Sequence, residues 1–109
     1  CGTTTPPPPT GSSGTLPNLG ATKNNWYRNT ITVPAGATKL TVNIAGGTGD
    51  ADLYVRSGSQ PTTTTYTCRP YKTGNTESCV INNPAAGTWH VGIRAYATFS
   101  GVTETWSIQ

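Results

Sequence analysis

Charge is scarce in this chain. Asp, Glu, Lys and Arg make up 10% of its 109 residues, against about a quarter in an ordinary soluble domain. Its seven cations are scattered rather than clustered. A groove that tracks phosphates needs a Lys/Arg cluster, so nucleic acid is not an expected partner. Methionine is absent, and Lys and Glu, both good helix formers, are few. The missing Met is what a processed piece or an excised domain would show. There is no 18-residue apolar run and no visible secretory signal, so no membrane span is expected. What fills the space is 22 Thr, 13 Gly and 9 Pro. Thr, Val, Ile and aromatics favour strands, while Gly, Pro and Asn favour turns. An all-helical protein is excluded.

Cysteine is sparse as well: Cys1, Cys68 and Cys79. Cys68 and Cys79 bracket a polar, turn-rich segment between strand-like runs, and a disulfide closing that loop is the natural reading. The competing reading is two free thiols or half a zinc site. With no Cys-x-x-Cys and a single histidine, His90, a four-ligand zinc centre is not available. A disulfide implies an oxidising compartment. Cys1 is left over. Either it ends an upstream domain and was bonded there, or it is the lipidated N-terminal Cys of a lipoprotein.

Residues 1–17 read as a linker, with four consecutive prolines making a stiff polyproline segment between flexible Gly/Ser flanks. The globular domain is expected over residues 18–109. From there apolar residues alternate with period two. Ile31 and Val33 share one side, as do Leu40, Val42 and Ile44, then Leu53 and Val55. After the Cys loop comes a short strand at Cys79-Val80-Ile81. The clearest strand runs from Trp89 to Tyr96, with Trp89, Val91, Ile93 and Ala95 on one face. Thr98-Phe99-Ser100-Gly101 breaks the pattern before a last strand from Val102 to Ile108. Short strands with regular turn signals predict an all-β, antiparallel β-sandwich of one domain.

Several segments resemble a known family. Val33-Pro34-Ala35-Gly36-Ala37-Thr38-Lys39-Leu40-Thr41-Val42 and Gly47-Thr48-Gly49-Asp50-Ala51-Asp52-Leu53-Tyr54-Val55 are similar to the bacterial pre-peptidase C-terminal domain. Cys68-Arg69-Pro70-Tyr71, Cys79, Ala86-Gly87-Thr88-Trp89, Ile93-Arg94-Ala95-Tyr96 and Ser100-Gly101-Val102 continue the likeness in the same order. It covers residues 20–109. The resemblance implies an eight-stranded, jelly-roll-like sandwich appended to secreted bacterial peptidases and sometimes to chitinases. Such modules are non-catalytic and often removed after export, and the fold is similar to the collagen-binding domains of clostridial collagenases. The family's last strand has apolar residues at alternate positions. Here Glu104 stands between Val102 and Trp106, which implies a bulge or an irregular strand.

A catalytic centre is not expected, because His90 is the lone candidate base and falls on the solvent face of its strand. Asp50 and Asp52, two apart in one turn, are poorly placed for paired-carboxylate glycosidase chemistry. They offer the hard oxygens that calcium takes, and calcium is the one cofactor candidate. Otherwise Asp50 caps the glycine turn and Asp52 pairs with a cation or a backbone N–H. Trp89, Trp106 and Tyr27 follow the apolar pattern into the core. Tyr54 and Tyr96 fall on the opposite faces of their strands beside Arg56, His90 and Arg94, and Tyr71 rides the disulfide loop next to Arg69. Exposed rings with neighbouring Arg suit stacking on sugars or on proline-rich collagen.

The expected function is therefore a monomeric, extracellular accessory module. It would serve an upstream catalytic domain of the same polypeptide by binding an insoluble protein or polysaccharide such as collagen or chitin. The contacts would be Tyr54, Tyr71, Tyr96, Arg69, Arg94 and His90. The alternative is an extension that assists secretion or folding and is cleaved off after export.

Overall fold

The computed structural model describes residues 12–69 and 75–109. Six strands run antiparallel and no helix occurs among the described residues: β1 (Ser12–Ala21), β2 (Trp26–Val33), β3 (Lys39–Ala45), β4 (Thr48–Ser57), β5 (Glu77–Asn82) and β6 (Gly87–Ile108). β6 organises the molecule. Its first stretch lies between β2 and β4; its second lies between β1 and β3, and β5 pairs the far side of β3. One strand thus belongs to two sheets. The described residues form six strands, where the resemblance implied eight.

The segment Thr98–Gly101, which breaks the alternation, lies inside β6 and does not end it. Trp89, Val91, Ile93, Ala95 and Phe99 are buried in one phase, and Val102, Glu104 and Ile108 in the other. The phase slips at Gly101, whose φ is +69°. A slip of one residue turns the other face inward, as a strand crossing between two sheets requires. In sequence such a slip reads like a turn. The neighbouring start of β4 is fitted to this corner: a Cβ on Gly49 would lie 2.0 Å from the Thr98 carbonyl oxygen, and its φ is +93°.

The core between the sheets is built from Leu40, Val42, Ile44, Leu53, Val55, Val91, Ile93, Val102 and Ile108, each at most 2% exposed. Each contributes about 1.5–3 kcal/mol relative to an exposed side chain. Cys68 and Cys79 form a disulfide with Cα atoms 6.0 Å apart. Cys79 belongs to β5, and Cys68 bridges to Val55 of β4, so the bond staples one sheet to the other. Loop-closure entropy puts its stabilisation at about 2–3 kcal/mol.

Two expectations about the ends of the domain change. β1 begins at Ser12 and pairs with β6 from Ser12↔Ile108 to Leu16↔Glu104, so residues 12–17 are strand rather than linker. A Gly/Ser/Thr/Pro segment shows no inward pattern of its own, and here the open edge of β6 supplies the hydrogen-bonding partner. The rest of the expected linker lies outside the described residues. The final strand is regular: β3 pairs it without a shift from Leu40↔Ile108 to Ala45↔Thr103. The irregularity falls on β1, between Leu16 and Leu19, where Asn18 has φ +59°. Glu104 keeps its place in the strand and points inward.

Candidate functional site

Strand register builds a charged, aromatic surface on the outer side of β2, β6 and β4. The cross-strand rows are Trp26–Arg94–Asp52, Arg28–Gly92–Tyr54 and Thr30–His90–Arg56. Inward positions take the apolar residues, so alternation forces these side chains outward. Gly92 leaves the middle of the surface open, and the Trp26 indole lies across it. A Cβ at position 92 would sit 2.8 Å from two carbons of that ring.

The cations stack on the rings. The Arg28 guanidinium lies 4.4 Å from the Trp26 ring centre and donates to the Pro61 carbonyl at 3.0 Å. Trp26 and Tyr54 are tilted at 57° with centroids 4.9 Å apart, and Tyr54 meets Tyr66 edge-on at 5.6 Å. Arg69 stands 5.2 Å from the Tyr54 ring and 5.6 Å from that of Tyr66. Arg56 donates to the Gln60 carbonyl at 3.1 Å, and Arg94 to Asn24 Oδ1 at 3.0 Å. Each cation–ring contact contributes about 0.5–2 kcal/mol, the larger values where water is excluded.

This arrangement corrects one expected contact. Tyr54 faces outward as its position in β4 predicts, yet it is 1% exposed. The chain after β4 folds back over it, held by Thr67 and Cys68 N–H donating to the Val55 carbonyl at 2.7 and 2.9 Å and by the disulfide. Tyr54 is the hub beneath the surface, not an open ring. Tyr96 is 55% exposed, and Arg69, Arg94 and His90 are half-buried. Tyr71 lies outside the described residues. Trp26, Arg28 and Tyr66 were not anticipated. Outward positions for Trp26 and Arg28 follow from the phase of Ile31 and Val33 once β2 is extended back. Tyr66, in a segment without period, gave no such signal.

The acids are turned in. Glu77 Oε1 accepts from the Leu53 N–H at 2.5 Å, and Asn75 Oδ1 from the Ala51 N–H at 2.7 Å. These side chains cap the outer edge of β4, which would otherwise offer free donors to a passing strand. Asp52 is 3% exposed. Burial and then Asp50 push its carboxyl above the ordinary range, against a hydrogen bond with Glu77 and the nearby Arg69 and Arg94. Asp50 and Asp52, the expected calcium ligands, stand beside each other, with Asp52 hydrogen-bonded to Glu77. Among the described residues no group of three or more His, Cys, Asp or Glu is placed to hold a metal.

Glu104 is fully buried between the sheets. Its Oε2 accepts from Asn29 Nδ2 at 3.0 Å, while its Oε1 and Asn29 Oδ1 have no hydrogen-bond partner among the described residues. Burial raises its carboxyl to about 7, against the Asn29 bond. Tyr27 is raised by burial and then by Glu104.

The outer face brings cations and rings together, and the lone histidine, His90, shares its row with Thr30 and Arg56. The fold is that of a small all-β module. The chain belongs to the bacterial pre-peptidase C-terminal domain family, which matches residues 24–95. The neutral protease of Vibrio proteolyticus is 48% identical over 107 residues, covering 94% of this chain and 17% of that protein. The chain thus spans less than a fifth of that relative. The solution structure of vEP C-ter 100 superposes with a TM-score of 0.66 at 45% identity, over 82% of this chain and 87% of that one. A periplasmic inhibitor of g-type lysozyme from Aeromonas hydrophila, PliG, has a TM-score of 0.70 at 23% identity, over 91% of this chain and 88% of that one, and shares the fold.

Proposed function

We propose that the domain is an adhesive accessory module, working outside the cell, that holds an upstream protease domain of the same polypeptide against an insoluble polymer. The observation behind this reading is the outer face of β2, β6 and β4. There Trp26, Tyr54 and Tyr66 underlie or flank Arg28, Arg56, Arg69 and Arg94, with Tyr96 exposed nearby. Rigid rings with Arg at their edges are the side chains that dominate adhesive surfaces. Tethering raises the effective concentration of an attached enzyme at the polymer without any change to its active site. Collagen and chitin are the candidate polymers. Tyr71 and His90 remain candidate contacts beside Tyr96, Arg69 and Arg94.

Co-sedimentation with collagen, chitin and casein tests the reading. The domain should be retained on at least one polymer, and Tyr66→Ala/Tyr96→Ala should release it while staying folded, its melting temperature lowered by the lost contacts of Tyr66 with Tyr54 and Arg69. Equal retention of variant and wild type removes this face from the function.

A further inference from the structure

The chain's four arginines, Arg28, Arg56, Arg69 and Arg94, all lie on the face just described. Its four acids are largely covered: Glu77, Glu104 and Asp52, the last on this same face beside Arg94, are 2, 0 and 3% exposed, and Asp50 is half-buried. So low a content of charge would ordinarily give a neutral surface. Here the charge left at the surface is mostly cationic. We infer that this face binds an acidic polysaccharide, a polymer with carboxylates repeated along a chain of sugar rings. This rests on the proposed role of the same face in adhesion and names the class of polymer.

The arginines carry the argument. Arg28 and Arg56 each give one N–H to a loop carbonyl, from Pro61 and Gln60, out of the five that a guanidinium offers. Neither has a carboxylate partner among the described residues. Arg28 is held between the Trp26 ring, 4.4 Å from its centre, and the Pro61 carbonyl, so its fork is positioned before a ligand arrives. A planar fork matches a carboxylate through two parallel hydrogen bonds, a geometry that lysine does not provide. A neutral polymer settled on this surface would strip water from these guanidinium groups and return no acceptor of equal strength. Arg94 and Arg69, in contrast, lie close to Asp52, so the unneutralised charge is at the Arg28 and Arg56 end.

Arg28 and Arg56 stand two strands and one row apart, about 12 Å between backbones by ladder dimensions, and both reach one stretch of loop, the carbonyls of Pro61 and Gln60. Two guanidinium groups brought to one stretch suit a polymer dense in carboxylates. The surroundings suit a sugar chain: the hydroxyls of Thr30, Thr32 and Thr88 are exposed along the same rows, and Tyr66 and Tyr96 are 40% and 55% exposed. Hydroxyls meet hydroxyls, and ring faces meet the C–H faces of sugars.

The test uses the 109-residue chain and immobilised polygalacturonate. Chitin serves as a neutral polymer and collagen as a protein polymer carrying both signs of charge; polyglutamate and phosphatidylserine vesicles serve as anions without sugar. Binding to polygalacturonate is expected at low salt, weakening as added salt screens the charges. Arg28→Gln/Arg56→Gln should lose about tenfold in affinity, equivalent to ~1.4 kcal/mol. Arg28→Lys/Arg56→Lys, which keeps the charge and loses the fork, should fall between the two. Wild-type binding to chitin or collagen but not to polygalacturonate overturns this inference and leaves the adhesive role standing. Binding to none of them overturns both. Equal binding to polyglutamate or to the vesicles shows bare charge attraction and overturns the assignment to a polysaccharide.

Discussion

Along the first stretch of β6, Trp89, Val91, Ile93 and Ala95 fill the interior while His90 and Arg94 face out. Along the second stretch Glu104 points inward, flanked across the sheet by Leu16 and Ile44. The same strand thus puts a cation outside in one sheet and an acid inside in the other. The cation costs little, because Arg94 keeps water and an Asn24 partner. The acid is costly, because one of its two oxygens is buried without a partner. Only the neutral form of a carboxyl is at ease in such a place. A small chain with four acids, three of them hidden, is left with a cationic exterior, so the awkward interior and the arginine-bearing face are two sides of one distribution.

The largest effect should come from damage to the first stretch. Ile93 is fully buried and pairs with Leu53 on one side and Tyr27 on the other. Ile93→Ala removes its packing and leaves a cavity that the two sheets do not collapse to fill. A loss of about 2–5 kcal/mol is expected in urea denaturation. A loss under about 1 kcal/mol would show that the first stretch is not the tighter of the two.

The second stretch should respond in the opposite sense. Glu104 is raised from 4.5 to about 7 in the folded state, so the native protein binds a proton that the unfolded chain releases. Its stabilising protonation is fully present below the unfolded value and is lost as pH rises through about 7. That shift corresponds to roughly 3 kcal/mol. Glu104→Gln, close in shape but unable to ionise, should be more stable than the wild type at pH 8 by up to that amount. The advantage should vanish near pH 4. Asp52, also raised, adds a wild-type trend of the same sign that the variant retains. A pH-independent difference between the two proteins would mean that Glu104 does not titrate in this range.

The two stretches also differed in how far the residues alone revealed them. Period-two alternation was enough to orient Trp89 to Ala95, because every inward position is apolar. It also set the faces of β3 and β4, and the polar loop between Cys68 and Cys79 announced the disulfide. Alternation assigns a face but not what covers it, which is why Tyr54 looked open. The segment that buries it, Pro61 to Arg69, has no period and is placed by the Val55–Cys68 bridge, a contact between distant parts of the chain. Glu104 failed for another reason. Its position said inside and its chemistry said outside, and burial was decided by the neighbours in β1 and β3. The gathering of the arginines on one face became visible only once β2, β6 and β4 were set side by side.

The smallest effect sharpens the comparison most, because it measures coupling rather than burial. Arg28 and Trp26 sit on the outer face in stacked contact; Asn29 and Glu104, one position over, meet inside through a hydrogen bond. Double-mutant cycles isolate each pair from the general cost of losing a side chain. For Arg28→Gln with Trp26→Leu, a coupling of about 0.5–1 kcal/mol is expected, since the guanidinium stays half in water. For Asn29→Ala with Glu104→Gln the coupling should be small near pH 4, where the carboxyl is neutral in both states. It should grow through neutral pH as the Asn29 amide comes to hold a charged oxygen, because hydrogen bonds to charged groups contribute about 1.5–3 kcal/mol. The outer coupling should show no such dependence on pH, as arginine does not titrate there. If both cycles moved together with pH, the two stretches of β6 would share one electrostatic environment. The contrast between an acid inside and arginine outside would then lose its physical basis.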